Sequence, residues 1–201
     1  MGVQERRERQ KETLRQEILD AAREMFVQEG YENVSMRKIA DRIEYSPTTI
    51  YLHFKDKAEL FQCICDETFA KLARKLETLR HKSGTDPLVF LREGMRAYVE
   101  IGLKHPNHYT VAFIFNPGVS EDYPYEGSIG EKAFNYLRMA VAHCVEQGKL
   151  RSVNVDATAQ ALWAAIHGVT SLLIVHKDFP FVPKARLVDQ VIDTMIEGLR
   201  A

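Results

Sequence analysis

Three helix-starting signals fall close together between Ser35 and Lys57, and they leave the chain few ways to fold there. Ser35 is a strong N-cap, and Met36, Ile39, Ala40 and Ile43 follow it at helical spacing. Val34 and Ile39 flank that cap as a hydrophobic staple. Only Glu44 and Tyr45 separate this run from the next cap, Ser46, and Pro47 then takes the first helical position, where its missing N–H costs nothing. Tyr45 and Ile50 repeat the staple. This third helix is short, about Pro47 to His53, with Ile50 and Phe54 turned to the core. Asp56 caps a fourth helix, with Glu59 at the capping-box position, and that helix can continue to about Leu79. Two short helices joined by a tight turn and braced by a third make a helix-turn-helix. The brace is at hand. Leu14, Ile18, Ala22, Met25 and Phe26 share one face of a helix from about Thr13 to Glu29. Gly30 follows where a left-handed terminal residue is wanted, so Tyr31 can fold back onto Phe26.

The rest of the chain also reads as helices. Asp86-Pro87 starts a fifth, which ends at His105-Pro106. Val111 to Phe115 is a short apolar run, and with no partner strand elsewhere it favours helix. Residues 116–127 mix Pro and Gly with Glu121, Asp122 and Glu126, as an exposed acidic loop does. Ser128 and Glu131 form a capping-box pattern for a seventh helix ending at Gly148, Asp156 caps an eighth, and Pro183 opens a ninth. The predicted fold is all-α, with about nine helices. An N-terminal arm (1–12) precedes a three-helix helix-turn-helix domain (13–56). A connecting helix (57–82) then leads to a helical bundle (83–201).

Charge narrows the partners. The formal net charge is −1 over 201 residues, which excludes a protein coated in positive charge. A local basic face remains: Arg37, Lys38, Arg42, Lys55 and Lys57 against Asp41, Glu44 and Asp56. The N-terminal end of the third helix offers Ser46, Pro47, Thr48 and Thr49, small enough for close approach to a groove, followed by Tyr51 and His53. On spacing and charge alone, a DNA reader and a plain three-helix bundle both fit. The cysteines, Cys63, Cys65 and Cys144, are odd in number and have no framework spacing, which suits free thiols in a cytoplasmic protein. The charge-alternating N-terminus has no signal-peptide core. Ala157 to Val175 lacks acidic and basic residues but carries Gln160, His167, Gly168, Thr170 and Ser171, so a helix buried in a bundle explains it better than a membrane span. No catalytic motif of the G-x-S-x-G, H-E-x-x-H or P-loop kind occurs, and the chain is not expected to be an enzyme or to hold a cofactor. His105 and His108 could offer two nitrogens to a metal- or haem-responsive regulator, but their spacing crosses a helix break, and two solvated histidines are the plainer reading.

The segments I-L-D-A-A-R-E-M-F (18–26), G-Y-E-N-V-S-M-R-K-I-A (30–40) and Y-S-P-T-T-I-Y-L-H-F-K-D-K-A-E-L-F (45–61) together resemble the DNA-binding domain of the TetR family of bacterial transcriptional regulators. The resemblance implies that Ser35, Arg37 and Lys38 start a helix touching phosphates. It implies that Pro47, Thr48, Thr49, Tyr51 and His53 face the major groove, with Ser46 at the head of that helix, and that Lys57 meets a phosphate. The chain departs from the family at Glu44, where the turn often carries glycine; a glutamate there must adopt the turn conformation at some cost. The second half is similar to the family's ligand-binding and dimerisation domain, and Trp163 to Gly168 resembles the signature of the WHG subgroup. This implies a homodimeric repressor of a near-palindromic double-stranded operator, released by a small apolar or amphipathic effector. Candidate pocket residues are Tyr98, Phe113, Phe134, Leu137, His143, Trp163 and His167. His167 serves equally well as a structural hydrogen-bonding residue. The last two helices carry apolar stripes too wide for one-sided packing, and Leu172, Leu187, Val188, Val191, Ile192, Met195 and Leu199 are expected at a two-fold interface.

Overall fold

A computed structural model describes residues 2–82, 86–115 and 123–201. Among them are nine α-helices and no strand, apart from an isolated antiparallel bridge between Leu150 and Arg200. The chain divides into two compact units, Met1–Thr68 with Asn107–Pro124, and Phe69–Pro106 with Tyr125–Ala201. The Ser83 to Thr85 break and most of the expected acidic loop (116–122) lie outside the described residues.

The first unit is built on α1 (Val3–Glu29). Its face of Ile18, Leu19, Ala22 and Phe26 is fully buried; α2 (Met36–Arg42) packs on α1 with Ile39 fully buried, and α3 (Pro47–Tyr51) packs on α2 with Ile50 fully buried. The start of α4 (Lys57–Lys82) adds Leu60, Phe61 and Ile64. Phe26, Tyr31 and Phe61 meet with ring centroids 5.1–5.9 Å apart. Arg23 is buried on the flank of this seam, where it donates to Asp20 (2.7 Å) on its own helix and to Glu67 (3.2 Å) on α4. A short α6 (Pro106–Tyr109) leads into a π-helical turn, Thr110–Ile114, so the apolar run is helical as expected, though wound wider than an α-helix.

Two starts differ from expectation. α1 begins at Val3, so most of the N-terminal arm is helix; charged side chains at helical spacing have good intrinsic helix propensity. Asn154, not Asp156, caps α8 (Val155–Val175), its side chain accepting from the Ala157 N–H at 2.9 Å. The first-turn Asp156 instead receives Arg138 at 2.5 Å. Elsewhere the caps are as read: Ser35, Ser46 and Ser128 each accept a backbone N–H from the third residue on. At Asp56 and at Ser128, the glutamate that should close the box reaches one residue further back, to Lys55 N–H and Gly127 N–H, both at 2.5 Å.

In the second unit α8 packs among α5 (Pro87–Lys104), α7 (Ile129–Glu146) and α9 (Lys184–Glu197). It is long and apolar enough to cross a membrane, but Leu162, Ile166, Val169, Thr170 and Leu173 are buried by its three neighbours. Arg92 and Arg96, one turn apart on α5, pair with Asp193 and Asp189, one turn apart on α9. The remainder of α4 meets α7, where the Tyr136 hydroxyl donates to Glu77, and Gly130 leaves room for the Phe69 ring.

The turn between α2 and α3 carries strain. α2 ends in a Schellman motif: Glu44 N–H bonds the Asp41 carbonyl and Tyr45 N–H bonds the Ala40 carbonyl. Glu44 therefore sits at φ 61°, the only non-glycine residue with positive φ among those described. α7 ends in the same motif, with Gly148 N–H to Val145 and Lys149 N–H to Cys144, but there a glycine takes the left-handed position at φ 63°. A left-handed L-residue costs about 1–2 kcal/mol, partly offset by the greater flexibility a glycine has when unfolded. Glu44→Gly is therefore expected to stabilise the fold by about 1 kcal/mol, read as a higher urea midpoint, and Glu44→Val to destabilise it. A lower midpoint for Glu44→Gly would mean that the Glu44 side chain contributes more than its backbone loses.

Candidate nucleic-acid interface and effector cluster

α3 is amphipathic over a single turn. Ile50 is fully buried, while Tyr51 is 55% and Leu52 74% exposed. Thr48 is exposed, and Pro47 and Thr49 are half-buried. The Ser46 hydroxyl accepts the Thr49 N–H and also bonds Thr49 Oγ1 at 2.8 Å. Two of the three small hydroxyl groups are thus committed to the cap, and Thr48 and Tyr51 are the polar side chains left pointing outward. Leu52 was not among the expected residues. Its signal in the sequence is that it falls off the Ile50–Phe54 stripe, and an exposed leucine beside a threonine suits contact with a thymine methyl group.

The cations expected to meet phosphate divide into two kinds. Arg37 is exposed at the start of α2. Lys38 and Lys57 instead grip the turn after α1. Lys38 Nζ donates to Glu29 (3.0 Å) and to the Asn33 carbonyl (2.8 Å). Lys57 Nζ donates to the Tyr31 carbonyl (2.9 Å) and lies 4.1 Å from the Tyr31 ring centroid. The Ser35 hydroxyl is occupied by the Lys38 N–H. His53 is half-buried, with its Nδ1 enclosed and without a hydrogen-bond partner. Burial first, then the charges of Lys11 and Arg15 on α1, push its pKa down.

In the second unit, three of the expected pocket residues form a polar chain between α5 and α8. Trp163 Nε1 donates to the Tyr98 hydroxyl oxygen at 3.3 Å, and that hydroxyl lies 3.2 Å from His167 Nδ1. An indole can only donate, so the Tyr98 proton is available to His167. Burial lowers the His167 pKa and favours the neutral ring. The Phe134 ring on α7 meets Trp163 edge-on at 5.9 Å, and Leu137 is half-buried one turn behind. Phe113 belongs to the first unit and stacks on Tyr109 at 4.9 Å. His143 is exposed, because the buried stripe of α7 runs through Ala133, Ala140, Val141 and Cys144 and leaves position 143 outside it.

The expected interface residues also need correction. Val188 and Ile192 are buried within one chain, because α9 turns them inward beside Ile196. They serve the interior of the second unit. Leu172 is 47% exposed, and Leu187, Val191, Met195 and Leu199 are partly exposed. Cys65 is buried with its thiol pushed up to about 12, and Cys144 to about 11, both mainly by burial, so neither supplies a thiolate near neutral pH. Among the described residues no group of three His, Cys, Asp or Glu could hold a metal ion.

Residues 18–64 match the family described as bacterial regulatory proteins, tetR family, and residues 91–199 match tetracyclin repressor-like, C-terminal domain. The WHG subgroup is not carried by these matches. The transcriptional repressor AcnR of Corynebacterium diphtheriae is 39% identical over 59 residues, 29% of this chain and 31% of that protein. The transcriptional regulator AcrR of Shigella flexneri is 37% identical over 79 residues, 39% of this chain and 37% of that protein. The chain thus matches about a third of the length of these curated relatives. Among solved structures, FadR from Bacillus subtilis in complex with stearoyl-CoA superposes with a TM-score of 0.77 at 18% identity, over 92% of this chain and 99% of that one. PfmR from Thermus thermophilus gives 0.74 at 22% identity, over 92% and 96%. At these identities the likeness is one of fold.

His53 and His167 titrate below the ordinary value of 6.5. A depressed pKa means the folded state binds fewer protons than the unfolded chain, so the associated stability is complete above pH 6.5 and is lost as pH falls through the folded values. The urea midpoint should drop between pH 7 and pH 5, and a His53→Gln/His167→Gln variant should flatten that drop. An equal drop in the variant would assign it to other groups.

Proposed function

The chain belongs to the tetR family of bacterial regulatory proteins, and on that premise we propose that it is a dimeric transcriptional repressor, not an enzyme, that reads a near-palindromic operator and is released by a small apolar or amphipathic effector. The observation that carries the reading is α3. A five-residue helix that buries only Ile50 and presents Thr48 and Tyr51 outward, with Leu52 exposed at its C-cap, contributes little to a core and much to a groove. Arg37 supplies phosphate contact beside it.

Dimerisation uses the outer side of α8. Ala157, Ala161, Ala164, Leu172 and Val175 recur at helical spacing and are all exposed in one chain. Two copies of that side bury each other about a two-fold axis and set the recognition helices at the spacing of an operator's half-sites. Leu172→Arg should give a monomer by sedimentation, with operator affinity falling at least tenfold, because one half-site leaves too few contacts. Thr48→Ala should stay dimeric and relax base preference instead. A Leu172→Arg protein that remains dimeric would move the interface elsewhere.

The effector enters beside Trp163, whose ring borders both Phe134 and the Tyr98–His167 pair. Stearoyl-CoA, the amphipathic molecule bound to the FadR structure, is the first probe. Trp163 is the sole tryptophan, so its emission reports occupancy directly. A saturable change in emission should accompany weaker operator binding, and operator DNA should weaken the probe by the same factor. Emission changes without any effect on DNA binding would sink the regulatory coupling.

A further inference from the structure

The N-terminal end of α1 carries an interaction surface of its own. The buried side of this helix runs through Ile18, Leu19, Ala22, Met25 and Phe26, with Leu14 half-buried ahead of them. Continued toward the N-terminus, one edge of that side passes through Lys11 and Arg7 and the other through Glu12 and Glu8. The edge through Lys11 and Arg7 is therefore cationic where α1 runs past the other helices, and both residues are exposed there. A helix face that continues a packing seam points toward whatever lies beside the bundle.

What lies beside it is the end of α3. Arg15, one turn after Lys11, has its guanidinium 4.9 Å from the Phe54 ring centroid and donates to Cys63 Sγ at 3.3 Å. Phe54 directly follows His53, and Lys11 and Arg15 both act on the His53 ring. The row Arg7–Lys11 thus starts at the C-terminal end of α3 and extends from Lys11 to Arg7 by about 6 Å. Glu12, which also reaches His53, and Glu8 lie to the side of this row, and Arg6 and Arg9 project from the opposite side of the helix.

We propose that Arg7 and Lys11 form a phosphate-contacting rail that extends the DNA interface beyond the helix-turn-helix, gripping the duplex backbone next to the groove that α3 enters. This rests on the reading of α3 as the groove-facing helix. A backbone contact of this kind adds affinity to every sequence alike and shows itself as salt dependence, about 0.9 in the logarithmic slope for each phosphate neutralised.

The test uses the full chain and a labelled 30-base-pair duplex of mixed sequence, titrated across a range of potassium chloride concentrations. Arg7→Gln/Lys11→Gln should lower the salt slope by about 2 per bound protomer and weaken mixed-sequence and operator DNA by the same factor. The matched variant Arg6→Gln/Arg9→Gln should leave the slope close to that of the unaltered chain. Helicity by circular dichroism checks that α1 is retained in both. An unchanged slope in Arg7→Gln/Lys11→Gln overturns the rail, as do equal falls in the two variants, which would mean a diffuse charge effect. An unaltered chain with no salt-dependent DNA binding would instead overturn the reading of α3 itself.

Discussion

Everything in the first unit is arranged against one side of α1. The fully buried row of Ile18, Leu19, Ala22 and Phe26 meets α2, the turn at Tyr31 and the start of α4, and α3 joins through α2. Hydrophobic burial supplies the attraction, but it is non-directional. Orientation comes from polar contacts around the seam's rim. Arg23 ties α1 to α4, while Lys38 and Lys57 hold the Tyr31–Asn33 turn between them from α2 and α4. Two lysines of the kind expected at a phosphate are thereby spent on fixing the distance between helices, and outward positive charge falls to Arg37, Arg42 and Lys55 and to the row on α1.

The second unit separates its polar groups by type. Ionised side chains pair between α5 and α9, where Arg92 and Arg96 meet Asp193 and Asp189 with the charges still partly exposed to water. Between α5 and α8 the groups are uncharged: an indole, a phenol and a lowered-pKa imidazole. Burial is what lowers the His167 pKa. A site of this make-up offers aromatic faces and neutral hydrogen-bonding groups to an apolar or amphipathic body.

Most of the fold was legible because capping is local chemistry. Ser35, Ser46 and Ser128 act within three residues of themselves, and so does the Pro47 start, so their roles follow from neighbours in sequence. The stripe on α1 and the fold-back of Tyr31 onto Phe26 follow from spacing in the same way. What sequence could not show depends on which neighbour arrives from elsewhere. Nothing near Lys57 announces that its ammonium will rest on Tyr31, 26 residues away. Val188 and Ile192 lie on the same wide stripe as Val191 and Met195, and only the arrival of α5 and α8 decides which of them turn inward. The pairing of Tyr98 with Trp163 and His167 joins positions 65 and 69 residues apart. In each case residue type marked a candidate, and tertiary geometry chose its work.

The left-handed glutamate at the tip of α2 has a genetic side as well. Glutamate and glycine codons differ by one transition at the middle base, so the residue best suited to φ 61° is a single nucleotide change away from Glu44. The domain therefore keeps a short mutational path to greater stability at the hinge that aims its third helix. A lineage burdened by a destabilising change in the α1 seam could recover by that one step without touching any outward side chain of α3. Suppressor screens on weakened variants of this chain would be the natural place to see glycine emerge at position 44.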